Sequence, residues 1–266
     1  MHARGRFQAS RRLHVHAVLL DGGGVLVLPH RDLIAAALRQ IRVEIDPAEV
    51  PRAHYRAARA MDLGRATEGY LHALLTALHI SADRAPEALS KLTELADRAT
   101  SGEILWSEPT PGAKQAIETI TRTGIQVVVV TNSDGHGAEN LRDARICQTG
   151  PGNGATVTDV IDSAIVRSAK PDPGIFRIAL NRANSPPDAA VHVGDMLSTD
   201  IAGARASGIA PIHFDPYRTC RARDHRHVGS LGSLCRHIAP PLRWNESGCQ
   251  GSSAGPDSKT PRRWPA

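Results

Sequence analysis

Four places in this chain carry groups able to do chemistry, and each closes an apolar run or opens a helix. Asp21 ends the run Ala17 to Leu20 and is followed by Gly22, Gly23 and Gly24. Thr131, Asn132 and Ser133 end the run Ile125 to Val130. Lys170 stands directly before Pro171-Asp172-Pro173-Gly174. Asp195 follows Ala190 to Gly194, with Asp200 shortly after it. Short apolar runs bounded by turn residues read as buried strands. In a parallel sheet the C-terminal strand ends share one edge, where such groups converge.

The chemistry of that set is coherent. A carboxylate attacks phosphorus and forms an aspartyl-phosphate. A hydroxyl with neighbouring amides holds the non-bridging oxygens, and a lysine neutralises developing charge. Two further aspartates suit Mg²⁺, a hard cation served by few carboxylates together with phosphate and water. Each group alone is ordinary, since a lysine before proline or a threonine after a strand is commonly structural. Their order along one strand–helix pattern carries the inference.

The elements that must position them are legible in outline. Residues 16–21, 125–130, 160–161, 190–193 and 211–214 read as strands. Between the first and second lies a stretch, 30–105, with helical spacing at Leu33, Ala36, Ala37 and Ile41 and again at Leu71, Leu74, Leu75 and Leu78. It predicts a small helical module inserted after the first strand, with His54, His72 and His79 as surface or packing residues. Thr110 is placed to cap a helix whose first residue is Pro111 and which Gly124 ends. Residues 138–146 read as a helix, and Thr149 to Thr158 as a surface loop despite Gly150, Gly152 and Gly154. Asp172 caps a helix beginning at Pro173, with Phe176, Ala179 and Leu180 facing inward. The predicted class is α/β, a parallel sheet with helices on both faces.

Bulk properties narrow the function classes. The net charge of +5 belongs to the ends of the chain, because residues 13–216 carry 19 basic and 24 acidic side chains. No aromatic interleaving or recognition motif accompanies the basic ends, so no specific nucleic-acid partner is expected. The basic, histidine-containing stretch Arg218 to His237 reads as solvated surface. Cys147, Cys220, Cys235 and Cys249 form neither a C-x-x-C pair nor a zinc spacing and read as free thiols. No apolar run reaches the roughly 18 residues of a membrane helix, and no secretory signal is apparent, so a cytoplasmic location is expected. Residues 1–13 read as a flexible basic leader and 241–266 as a disordered tail. The oligomeric state is left open.

The motifs LLDGGGVLV around Asp21, VVVVTNS ending at Thr131 to Ser133, AKPDPGIF at Lys170 and VGDMLSTD at Asp195 to Asp200 resemble those of the haloacid dehalogenase-like (HAD) hydrolases. The resemblance spans about residues 14–240. It implies a Rossmann-like, doubly wound core from 14–29 and 106–240, with residues 30–105 as a helical cap. It further implies Asp21 as nucleophile, phosphate contacts from Thr131 and Asn132, and charge stabilisation by Lys170. Mg²⁺ would be held by Asp21, the backbone carbonyl of Gly23 and Asp195, with Asp200 as a supporting acid.

One position departs from the family's phosphatases, which carry a second aspartate two residues after the nucleophile as general acid and base. Here that residue is Gly23. Glycine keeps the carbonyl but removes the proton donor, a group worth about 10²–10⁴-fold in rate. The expected function is therefore Mg²⁺-dependent hydrolysis of a small phosphorylated metabolite, slow on alkyl phosphates. The alternatives are a catalytically weak or idle HAD fold used for binding or regulation, and a dehalogenase-type hydrolase.

Overall fold

The first strand is buried at every residue, the mark of a strand with helices on both faces. It is β1 (Ala17–Leu20), and beyond the glycine turn a short strand, β2 (Val27–Pro29), leads outward. Four helices follow: α1 (Arg31–Gln40), α2 (Val50–Asp62), α3 (Tyr70–Ala77) and α4 (Ala85–Asp97). The chain returns through β3 (Trp106–Pro109), α5 (Ala113–Thr121), β4 (Gln126–Thr131) and α6 (Gly137–Asp143). Next come β5 (Cys147–Thr149), β6 (Ala155–Val157), β7 (Asp159–Asp162), α7 (Ser163–Val166) and α8 (Pro173–Arg182). Then β8 (Ala190–Gly194) runs into a π-helical turn at Leu197–Ile201 and α9 (Ala202–Ala206). The order closes with β9 (Ala210–Phe214), β10 (Arg226–Val228) and α10 (Leu231–Ile238). The computed structural model describes residues 15–97 and 104–238, so the expected leader at 1–13 and tail at 241–266 lie outside the described residues.

Six strands form one parallel sheet in the order β10-β9-β8-β1-β4-β7. Leu20 pairs with Val129 of β4 on one side and Val193 of β8 on the other, which puts β1 at the centre. Successive strand residues point to opposite faces. Val18 and Leu20 accordingly pack with Ile117 and Ile120 of α5 and with Leu231 and Leu234 of α10. Ala17 and Leu19 pack on the other face with Ile175, Phe176 and Ala179 of α8. The result is a doubly wound α/β sheet.

Helices α1 to α4 surround an apolar cluster of their own, including Ile34, Leu38, Leu74 and Leu92. The antiparallel pair β2 and β3 forms their double connection to the sheet. Arg31 at the start of α1 is ion-paired with Glu108 of β3, bracing that connection. At the far end of α2, the Asp62 carboxylate accepts the N–H groups of Leu197 and Ser198, each at 2.8 Å. A helical-unit residue thus satisfies the open N-terminus of the turn that follows β8.

Four sequence expectations need correction. The sheet has a sixth strand, β10, inside the stretch read as solvated surface. Its three residues, Arg-His-Val, are too few and too polar to signal a strand. The segment read as a surface loop, 149–158, contains β6 and the last residue of β5, which pair parallel to each other. The helix after Thr110 begins only at Ala113, because Gly112 turns in the left-handed region at φ +81°. Thr110 therefore does not cap through its hydroxyl, which is buried without a partner. Finally, His54 is not a simple packing residue, as the site shows. Among the described residues no helix is long and apolar enough to cross a membrane.

Candidate active site

Asp21 leaves β1 at the C-terminal edge of the sheet, where its N–H donates to the Val193 carbonyl at 2.9 Å. Three other groups meet it there. Lys170, from the loop before α8, places Nζ 2.6 Å from Asp21 Oδ1 and 2.7 Å from Asp200 Oδ1. Asp195 follows β8, and Asp200 stands in the π-helical turn. Oxygen atoms of Asp21, Asp195 and Asp200 lie within 4.8 Å of one another, and all three residues are buried.

Backbone shape makes this convergence possible at two glycines. Gly24 turns at φ +77°, and a Cβ there would run into the Asp195 carboxyl. A Cβ on Gly194 would likewise strike the Asp200 carboxyl. The turn after Asp21 is fastened from outside by Tyr55 of α2, whose hydroxyl donates to the Gly24 carbonyl at 2.6 Å. Within the turn, Leu26 and Val27 donate to Gly22 and Gly24 donates to Val27, so the Gly23 carbonyl stays outside the turn's backbone hydrogen bonds.

The two outer aspartates are used differently. Asp200 is fully enclosed and nearly saturated: Oδ1 accepts from Lys170 and from His192 Nε2 at 2.9 Å, while Oδ2 accepts from the Met196 N–H at 3.1 Å. Asp195 accepts from His54 Nε2 at 3.1 Å. His54 is 3% exposed and takes a further bond, at Nδ1, from the Tyr70 hydroxyl at 2.9 Å. No signal marked His54 as chemical, yet Val50, Ala53, His54 and Ala57 share the buried face of α2. Its place on that stripe was the available clue. His72, by contrast, pairs with Glu68 at the surface, and His79 is exposed.

Thr131 lines the cavity next to Gly22, with its Oγ1 2.9 Å from where a Gly22 Cβ would stand. Asn132 also lines it, but its carboxamide is occupied. Nδ2 donates to the Lys170 carbonyl at 2.9 Å and Oδ1 accepts the Lys170 N–H at 2.8 Å. That reciprocal pair makes the side chain of Asn132 a clamp on the lysine's main chain. Any phosphate contact from this residue would fall to its backbone.

Electrostatics follow from the count of charges: three buried carboxylates face one ammonium. Burial, and then the charge of Asp200, push the Asp21 carboxyl well above the usual carboxylate range, and Lys170 offsets only part of this. Burial also opposes ionisation of Asp200, but the Lys170 charge and the His192 hydrogen bond outweigh it and hold that carboxyl well below the usual range. Lys170 is kept charged against its own burial by Asp200 and Asp21. The excess negative charge and all-oxygen donors are the pattern a hard divalent cation would balance. A cavity of about 530 Å³ opens over this cluster, walled by Trp106 and Tyr70 from the helical side.

With that geometry in view, known proteins resolve the family. The model of the haloacid dehalogenase-like hydrolases matches residues 15–208. This chain belongs to that family. It is 29% identical over 143 residues to a ribulose-1,5-bisphosphate 5-phosphatase of Halopiger xanaduensis, covering 52% of this chain and 54% of that protein. It is 25% identical over 240 residues to human haloacid dehalogenase-like hydrolase domain-containing protein 3, covering 84% of this chain and 90% of that one. It therefore spans about half the length of the first relative and most of the second. Among solved structures, a HAD-hydrolase from Bacillus subtilis bound to magnesium superposes with a TM-score of 0.57 at 19% identity. That match covers 85% of this chain and all of the other, and it shows a shared fold.

Proposed function

We propose that this HAD-like hydrolase cleaves phosphomonoesters of a small metabolite through an aspartyl-phosphate on Asp21, with Mg²⁺ as cofactor. The observation that carries the reading is Asp21 in a buried cluster with Lys170, Asp195 and Asp200, opening on a cavity beside Thr131. No hydrogen bond from the described residues reaches Asp21 Oδ2, which stays available to attack phosphorus. Attack forms the new P–O bond to Asp21 and releases the ester oxygen, and water then hydrolyses the acyl phosphate. The Thr131 hydroxyl and the backbone N–H of Asn132 receive the non-bridging oxygens. Lys170 stays charged throughout and stabilises the extra negative charge. Asp21, Asp195 and the Gly23 carbonyl would hold Mg²⁺, with Asp200 supporting by anchoring Lys170. Bound there, the ion supplies charge neutralisation at the phosphoryl group. The helical unit supplies Tyr70 and His54 to the cavity wall and is suited to set substrate choice.

Phosphate release from nitrophenyl phosphate and a panel of phosphorylated metabolites, with and without Mg²⁺, tests the reading. Metal-dependent turnover supports it. Halide release from 2-haloacids without metal would establish the dehalogenase alternative instead. Tight phospho-ligand binding with no turnover over hours would establish a binding protein.

At Gly23 no side chain stands to protonate the leaving oxygen. Gly23→Asp is expected to raise alkyl-phosphate turnover about 10- to 100-fold while changing nitrophenyl phosphate little, since nitrophenolate leaves unaided. The new Cβ would stand 3.3 Å from the Trp106 ring, so that ring must yield slightly. Equal gains on both substrates would argue against the assignment.

His54 is a positioning residue for Asp195. His54→Leu removes the hydrogen bond and is expected to raise the Mg²⁺ concentration for half-maximal activity about 10- to 100-fold. His54→Gln, which keeps a donor, should recover part of that. A fall in maximal rate with unchanged Mg²⁺ dependence would assign His54 another role.

A further inference from the structure

A second constellation lies behind the candidate active site, built from residues that no motif links. His213 at the end of β9, Cys220 in the following loop, and His225 and His227 around β10 gather at one point. One ligand atom from each lies within 4.8 Å of all the others. We propose that these four side chains form a binding site for a divalent transition-metal ion of the zinc class, distinct from the aspartate cluster.

Hydrogen bonding settles which nitrogens are bare. His213 Nε2 lies 3.0 Å from the Asp195 carbonyl, which can only accept, so Nε2 carries the proton and Nδ1 holds a lone pair. His225 Nδ1 lies 2.8 Å from the Asp224 carboxylate, so its Nε2 is the bare nitrogen. Those two bare nitrogens face one another at 3.3 Å, with the Cys220 sulfur 3.9 Å from the second. With both rings neutral, two lone pairs face one another beside a thiol, an arrangement that a metal ion between them would satisfy. His227 has Nε2 at 3.1 Å from the Ala222 carbonyl, which leaves Nδ1 as its bare nitrogen, 3.7 Å from the Asp215 carboxylate. Imidazoles whose far N–H is tied to a carbonyl or carboxylate are the usual form of metal-binding histidines.

The distances suit the ion. Bond lengths of about 2.0–2.1 Å to nitrogen and 2.3 Å to sulfur in a tetrahedron put donors about 3.3 Å apart for N and N and about 3.6 Å for N and S. The observed 3.3 Å between His213 and His225 matches, the 3.9 Å to Cys220 asks for a small inward movement, and the remaining donors, all within 4.8 Å of one another, would close in on the ion. The loop is already shaped for this, because the Asp215 carboxylate accepts the N–H groups of Thr219 and Cys220 at 2.8 and 2.9 Å. A thiolate with three imidazoles favours zinc or cobalt over magnesium.

The site would also fasten the edge of the sheet. It joins the end of β9 to the short strand β10 across an irregular loop. Through His213 it holds the peptide of Asp195, which belongs to the candidate active site. The assignment stands independently of the reading of Asp21.

Full-length protein, stripped with chelator and reloaded, tests it without any substrate. One zinc per chain is expected to survive gel filtration, by elemental analysis, and to raise the melting temperature. Cobalt(II) should give a thiolate-to-metal absorption together with the intense visible bands of four-coordinate cobalt. Cys220→Ser should abolish the thiolate band, whereas Cys147→Ser, Cys235→Ser and Asp21→Asn should leave it. His225→Gln should weaken metal retention at least tenfold. Failure of the wild-type protein to retain zinc, absence of the thiolate band, or a band unchanged by Cys220→Ser would each overturn the proposal.

Discussion

Asp21→Asn is expected to abolish metal-dependent phosphate release, by on the order of 10⁴-fold or more, while leaving the protein at least as stable. Losing a nucleophile removes the covalent route altogether, and such losses are among the largest single effects in enzymes. Stability should move the other way. Burial and the neighbouring Asp200 charge already push Asp21 above its ordinary range, so its ionised form is costly in the folded state. A group whose folded pKa is raised contributes most below its unfolded value, about 3.9, and loses that contribution as pH rises through the folded value. A neutral asparagine has no such loss. Without metal, the variant should melt above wild type at pH 7, with the gap closing below pH 4. Mg²⁺ should stabilise wild type more than the variant, since it binds the folded state through the missing charge. Retained activity, or a variant that melts below wild type by several degrees at neutral pH, would argue against Asp21 as the buried nucleophile.

Lys170→Met carries the second large effect, and here rate and stability fall together. Lys170 Nζ is the shared partner of Asp21 and Asp200, with its side chain 2% exposed. Removing one member of a buried charge cluster strands the others, at a cost of about 3–5 kcal/mol. The rate should fall by on the order of 10²–10³, the range for losing one preorganised electrostatic group. The pH dependence separates this from simple loss of packing. In wild type Asp200 is held below its ordinary pKa, so its contribution is present above the unfolded value and is lost as pH falls. In the variant Asp21 and Asp200 have no counter-charge, their folded pKa values rise, and stability is lost as pH rises instead. The difference in unfolding free energy, measured with urea, should be largest near pH 7.5 and shrink toward pH 4. An equal difference at both pH values would reduce Lys170 to a packing role.

Much of this was legible because it is local. An acid at the end of an apolar run lands at a sheet edge whatever the rest of the chain does. Asp172 caps its own helix, with Oδ1 2.7 Å from the Gly174 N–H, as its place before Pro173 predicts. Thr110 misled because Gly112 delays the helix by entering the left-handed region, a choice that the residue types permit but do not impose. Asn132 stands where expected, but the partner of its carboxamide, main chain 38 residues away, was not legible.

The sequence by itself determined which groups stand at the strand ends and which residues line each face of the sheet. Periodicity and chain direction are properties of neighbouring residues. Only the tertiary structure decided which charges share a site, because those contacts close loops of 30 to 141 residues. His54 of the helical unit reaches Asp195 and Asp62 reaches the turn at Leu197; over a shorter span, the fold brings His213 to Cys220, His225 and His227, the last three in a stretch read as solvated surface. Burial without compensating partners would make these polar groups unfavourable, so the fold that pairs them is also what gives them a chemical role.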